Sequence, residues 1–255
     1  MEGQQIDSDK YLRKVVETNF DIPYKGIEDS LARLGKPFDS VMATENGFVI
    51  EYNGVKINID YKPYIYSREG EEYTSRDVKV VNRFIILTED REFNLLTLLP
   101  PGIKILVQAS SEKETGNILD VDGISEISIA GEINSPKMVA VLLHEIGHIL
   151  DESKLKTLGI TGYDAIRIGL MDDKENADLA EEIRKERIAN AFALKMLRPF
   201  LKNSNERRDM LNLLKYDALA SYYYSAKEEI KKRSQRSSHS HYNSMDVEDF
   251  VGNEW

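Results

Sequence analysis

Apolar residues along this chain recur with two different periods, and the switches between them outline its elements. From Ser8 to about Phe20, Tyr11, Leu12, Val15 and Val16 fall at helical spacing, and Ile27 to Leu34 repeats the pattern before stopping at Gly35. The period then drops to two. Phe48 to Tyr52 and Val55 to Tyr61 alternate strictly on either side of Asn53-Gly54. That dipeptide supplies the positive φ angles of a type I′ turn, so a β-hairpin is predicted. Residues 66–78 are charged and patternless, and are expected to form a loop.

Val80 to Leu87 reads as a strand. Thr88 has the look of an N-cap, with Glu89 and Asp90 in the first turn of a helix carrying Phe93, Leu95, Leu96, Leu98 and Leu99. Pro100-Pro101-Gly102 would end that helix. Ile103 to Gln108, Ile118 to Val121 and Ile124 to Ala130 are predicted strands, the last two joined by a turn at Asp122-Gly123. Ser135-Pro136 then pairs an N-cap with a first-turn proline and opens a helix. Residues 151–171 mix loop and short helix around Gly159, Gly162 and Gly169. A long helix follows from about Lys174 to Arg198, stopped by Pro199. A further helix runs from Asn205 to about Lys232, with Leu211, Leu214 and Leu219 facing inward. The expected class is α+β: a helical and hairpin module over 1–80, a second domain over 81–232, and a Ser-rich, acidic tail over 233–255 that should be disordered.

Composition narrows the function classes. A chain of 255 residues with 41% apolar and 31% charged side chains is that of a globular protein able to bury a sizeable core. No apolar run approaches a membrane span, and the polar start Met1-Glu2-Gly3-Gln4-Gln5 does not read as a signal peptide. A net charge of −10 argues against nucleic-acid binding, and the basic run Lys231 to Arg236 reads as a solvated helix end. With no cysteine, disulfides and thiolate metal sites are excluded, and a cytoplasmic location is favoured.

The chemistry concentrates in Val141 to Leu150, where His144 and His148 lie four residues apart on an apolar run. One helical turn places both imidazoles on one side, where they can share an ion at about 2.1 Å, which is zinc geometry. Glu145 is rotated away by one residue, beside an open coordination position, where it can take a proton from a zinc-bound water. Two histidines among Leu142, Leu143, Ile146, Ile149 and Leu150 would otherwise be buried without partners, which is unfavourable.

A catalytic zinc needs a third protein ligand, and without cysteine it must be Asp, Glu or another His. His239 and His241 fall in the tail. Glu152 continues the four-residue step but would sit about 12 Å from His144 along a continuous helix, which suits a supporting or helix-end charge. Glu186 is the better candidate, because it shares a helix face with Ile183, Ala189, Asn190 and Ala193. A carboxylate on that face points inward and demands a partner, and Asn190 is placed to hydrogen-bond a metal ligand from behind. The plainer alternative makes Glu186 one more surface charge among Glu181, Glu182, Arg184 and Lys185.

His144-Glu145-Ile146-Gly147-His148, followed by Glu186 to Ala193 and Pro199, resembles the ImmA/IrrE family of metallopeptidases. The match spans roughly residues 88–200, with Ile188 where the family is often acidic and Arg198 where it is usually apolar. The resemblance implies a zincin-like core in which His144, His148 and Glu186 hold zinc and Glu145 is the general base. It also implies a protein substrate of the DNA-binding repressor type, cleaved in the cytoplasm in stress responses or in mobile elements. The expected function is therefore intracellular zinc-dependent endoproteolysis. An extended peptide would add to the edge of Ile124–Ala130, and Tyr163 or a tyrosine of residues 216–224 would donate to the oxyanion. The alternative is a non-enzymatic regulator in which the same fold captures a partner protein.

Overall fold

A computed structural model describes residues 24–89, 91–109, 115–121, 124–160 and 177–214. The expected helix at 8–20, the turn at 122–123, Tyr163, the tyrosines of 216–224 and the tail with His239 and His241 lie outside the described residues.

The fold is α+β, and the described residues build one mixed sheet of eight strands. Helix α1 (Tyr24–Leu34) precedes β1 (Ser40–Ala43), β2 (Gly47–Tyr52), β3 (Val55–Arg68), β4 (Glu71–Leu87) and β5 (Glu92–Asn94). A 3₁₀ turn (Leu95–Leu98) leads to β6 (Lys104–Gln108), β7 (Thr115–Val121) and β8 (Ile124–Ala130). Among the described residues four helices follow: α2 (Pro136–Ile149), α3 (Glu152–Thr157), α4 (Ala177–Leu197) and α5 (Ser204–Leu213). The strand order is β1-β2-β3-β4-β6-β8-β7, with β5 also on β4. Among the described residues only β6 and β8 pair in parallel.

The predicted hairpin is present: Asn53 and Gly54 take φ of 53° and 78°, and β2 pairs with β3 from Gly47↔Asp60 to Tyr52↔Val55. Inward positions of the sheet (Ile57, Ile59, Phe84, Ile105, Val107, Ile127, Ile129) join Met138, Leu142 and Ile146 of α2 and Phe192 of α4 in one core. The boundary expected near residue 80 falls inside β4, and the sheet is continuous across it. Helix α1 is tied to α5 by Arg33, whose Nε and Nη2 both donate to the Asp209 carboxylate at 2.6 Å. Ser30 Oγ adds a third hydrogen bond to that carboxylate at 2.9 Å. In α5, Leu214 at the C-cap is buried, whereas Leu211 is only half-buried.

Three expectations are corrected. Residues 66–78 are not a loop but a second hairpin, in which Arg68↔Glu71 and Tyr66↔Tyr73 pair around Glu69-Gly70. Both turn residues have positive φ, 55° and 85°, which is a two-residue hairpin turn with Glu in place of the usual Asn or Asp. Because this ribbon is largely exposed, no apolar alternation marks it.

The helix expected after Thr88 is instead a turn, a strand and a 3₁₀ turn. Thr88 closes the turn by accepting from Arg91 N–H at 3.1 Å, and Asn94 is the residue that caps the 3₁₀ turn. The end of β4 extends past its pairing with β6, and β5 satisfies the backbone groups of Ile85 to Leu87. Finally, Ile124–Ala130 is not an edge. It lies between β6 and β7, and among the described residues the outermost strand at this end of the sheet is Thr115–Val121.

Candidate metal centre

Helix α2 forms where the sequence signals it. Ser135 Oγ accepts from Met138 N–H at 3.3 Å, and Pro136 occupies the first turn, where its missing N–H leaves no donor unsatisfied. Nine residues of the helix are buried, including His144 and Glu145. The helix ends at Leu150, and Asp151 caps the separate helix α3, so Glu152 is not on a continuous helix with His148.

Helix α4 runs past α2 and brings Glu186 to the two rings. Glu186 Oε2 is 3.1 Å from His144 Nε2, and Oε1 is 3.3 Å from His148 Nε2. The two Nε2 atoms are 3.0 Å apart, with the rings perpendicular. Glu186 is 7% exposed, so it is no surface charge. Three ligand bonds of about 2.1 Å in tetrahedral array put donor atoms about 3.4 Å apart, close to these separations. The donor set, two imidazoles and one carboxylate, could therefore hold a metal ion.

Protonation is prepared for that role. Asn190, fully buried one turn beyond Glu186, donates from Nδ2 to the Leu214 carbonyl at 3.2 Å. A carbonyl only accepts, so the amide oxygen must be the atom facing His144 Nδ1, at 2.9 Å. Nδ1 therefore carries the hydrogen, leaving the Nε2 lone pair directed into the centre.

Burial pushes the Glu186 carboxyl upward, but the two facing rings, which donate to it when protonated in the metal-free centre, outweigh burial and hold it down at about 2. It is an anion at neutral pH. Glu145 is shifted the other way: burial and, less strongly, the Glu186 charge raise it against the pull of the two rings. A carboxylate raised from its ordinary value is a better proton acceptor, which suits a base.

The convergence depends on a residue that the motif reading passed over. A Cβ on Gly147 would lie 2.7 Å from Ala189 Cα and 3.1 Å from its carbonyl oxygen, so the two helix backbones touch there. Gly147 sits between His144 and His148, and Ala189 between Glu186 and Asn190, so the closest approach falls amid the ligands. Glycine inside a helix costs about 1 kcal/mol against alanine, and that anomaly was the available signal. No protein-family model, curated protein or solved structure matches the chain, and the functional reading stands on these residues.

Proposed function

We propose that the chain is a zinc-dependent endopeptidase acting on a protein substrate. The observation that carries the reading is a buried carboxylate, Glu145, next to a His-His-Glu donor set that could hold a metal ion. His144, His148 and Glu186 would hold the ion, which when bound supplies Lewis acidity toward water and the scissile carbonyl. Glu145 takes the proton from the attacking water and returns it to the leaving amine. Asn190 keeps the His144 ring in the tautomer that presents Nε2. Among the described residues β7 pairs on one side alone, with β8, and its other side would be the place for an extended segment to add. Following the resemblance to the ImmA/IrrE peptidases, the substrate is a repressor-type DNA-binding protein and the setting is the cytoplasm.

The second reading, a partner-capturing regulator without catalysis, has the β3–β4 ribbon in its favour, where Ile65, Tyr66 and Tyr73 are exposed. One experiment separates the two. The zinc-loaded full chain is incubated with the repressors encoded beside its gene, with and without chelator, alongside Glu145→Gln. The peptidase reading expects a repressor shortened only with metal and only by the unmutated chain. Binding without cleavage, or cleavage that survives Glu145→Gln, contradicts it.

A further inference from the structure

We infer that Gly116, on the outermost strand β7, is a positioning residue for Glu145: the bare backbone there lets the carboxylate lie against the strand. Gly116 pairs with Ile129, an inward core residue, and so faces the helices. A Cβ at this position would stand 2.6 Å from Glu145 Cγ, 2.8 Å from Glu145 Oε1 and 2.8 Å from Val141 Cγ1. Those separations are well inside van der Waals contact. The conflict is with the stem of the side chain as well as its tip, so a small rotation of the carboxylate does not relieve it. The three atoms nearest to the absent Cβ belong to Glu145 and Val141, none to a metal ligand.

The backbone gives no other reason for glycine here. Gly116 is not among the residues with positive φ, and glycine in a strand interior is unfavourable. Ile118, the next inward residue of the same strand, carries a full side chain opposite Ile127. The strand thus tolerates bulk at 118 and has none where Glu145 passes. If a peptide pairs with β7, substrate and base are both located by the same strand. That chemical consequence rests on the peptidase reading, whereas the packing relation does not.

The test is a double-mutant cycle on the metal-free full chain, followed by thermal unfolding, with Gly116→Ala, Glu145→Ala and the double variant. Gly116→Ala is expected to lower the melting temperature by about 5 °C. A measurable part of that loss should be relieved beside Glu145→Ala, which has no Cγ, while the contact with Val141 remains in both backgrounds. Zinc affinity of Gly116→Ala should change less than the roughly tenfold that marks lost support to a ligand. With a substrate in hand, Gly116→Ala should lower kcat by about tenfold or more while KM stays nearly constant.

If Gly116→Ala alone does not fold, the double variant is made with Val141→Ala in both backgrounds; folding beside Glu145→Ala then supports the assignment, and its failure overturns it. An equal loss in both backgrounds would make the glycine a need of the strand alone. A fall in zinc affinity matching that of Glu186→Gln would assign it to the metal instead. Either result overturns the inference. A parent chain that cuts nothing, together with the expected coupling, removes the peptidase reading but leaves Gly116 as the residue that places Glu145.

Discussion

The metal centre and the β3–β4 ribbon are built on opposite principles within one sheet-based fold. At the centre, two helices touch backbone to backbone at Gly147 and Ala189, and His144, His148, Glu186 and Asn190 each meet a named partner. On the ribbon, backbone pairing provides the order while the side chains remain in solvent. Tyr64, Tyr66 and Tyr73 stack on one another at 6.1 and 5.8 Å, and Lys104 lies 5.7 Å from the Tyr64 ring. A buried site is specified by side chains and is therefore brittle. An exposed ribbon is specified by its turn and register, and should tolerate substitution.

The comparison can be broken most forcefully at Glu186. Glu186→Gln removes the anion and leaves a neutral donor, so zinc affinity should fall by more than the roughly hundredfold that loss of a supporting group produces. Competition with a chromophoric chelator measures this. A fall of less than about tenfold would mean the carboxylate is not a ligand.

Gly147→Ala comes next. It forces the two helices apart and should destabilise by about 1–3 kcal/mol, the usual cost of overpacking. Because the inserted methyl sits among the ligands, zinc affinity should fall with it. Chemical denaturation read with and without zinc separates the two effects, and an unchanged metal affinity would detach the helix contact from the site.

Asp209→Ala probes a buried carboxylate and its half-exposed arginine partner, away from the metal. It removes the acceptor for Arg33 and Ser30 and should cost about 1–3 kcal/mol, with zinc affinity unaltered. The hydrogen bond from Arg33, above all, holds the Asp209 carboxyl below its ordinary value. A lowered folded value means this contribution is fully present above the unfolded aspartate value of about 3.9. It is lost as pH falls below that value and through the still lower folded one. The stability difference between parent and Asp209→Ala should therefore be constant near neutrality and shrink in acid. A difference that grows in acid contradicts the assignment.

The smallest effects belong to the ribbon. Tyr66→Ser and Tyr73→Ser should each change stability by no more than about 0.5 kcal/mol and leave zinc binding untouched. A larger loss in thermal unfolding would show that the ring stack is part of the fold.

What could be read from sequence follows the same division. The His144–His148 helix was legible because capping, apolar burial and ligand spacing all point to one helix. Glu186 was legible because an acidic residue interrupts a face of small and apolar residues. Asn190 followed from its position one turn on. The ribbon was hidden because Glu69-Gly70 lacks the Asn or Asp that advertises a hairpin turn, and exposed strands carry no apolar alternation. The span after Thr88 misled because its leucines fit helical spacing, while the end of β4 beyond β6, which β5 pairs with, decided the outcome. Strand order is a long-range property, and nothing local in Thr115–Val121 announces the outermost strand. The roles of Gly116 and Gly147 arise from contacts 29 and 42 residues away in sequence (145 − 116 and 189 − 147), which no short motif records.

The most direct test is X-ray absorption at the zinc edge on the zinc-loaded full chain, beside Glu186→Gln loaded in the same way. Two imidazole nitrogens and one carboxylate oxygen at about 2.0–2.2 Å are expected, with the carboxylate contribution lost in the variant. A spectrum fitted by three or more imidazoles, or one that Glu186→Gln leaves unchanged, would contradict the grip of His144, His148 and Glu186 on a single ion.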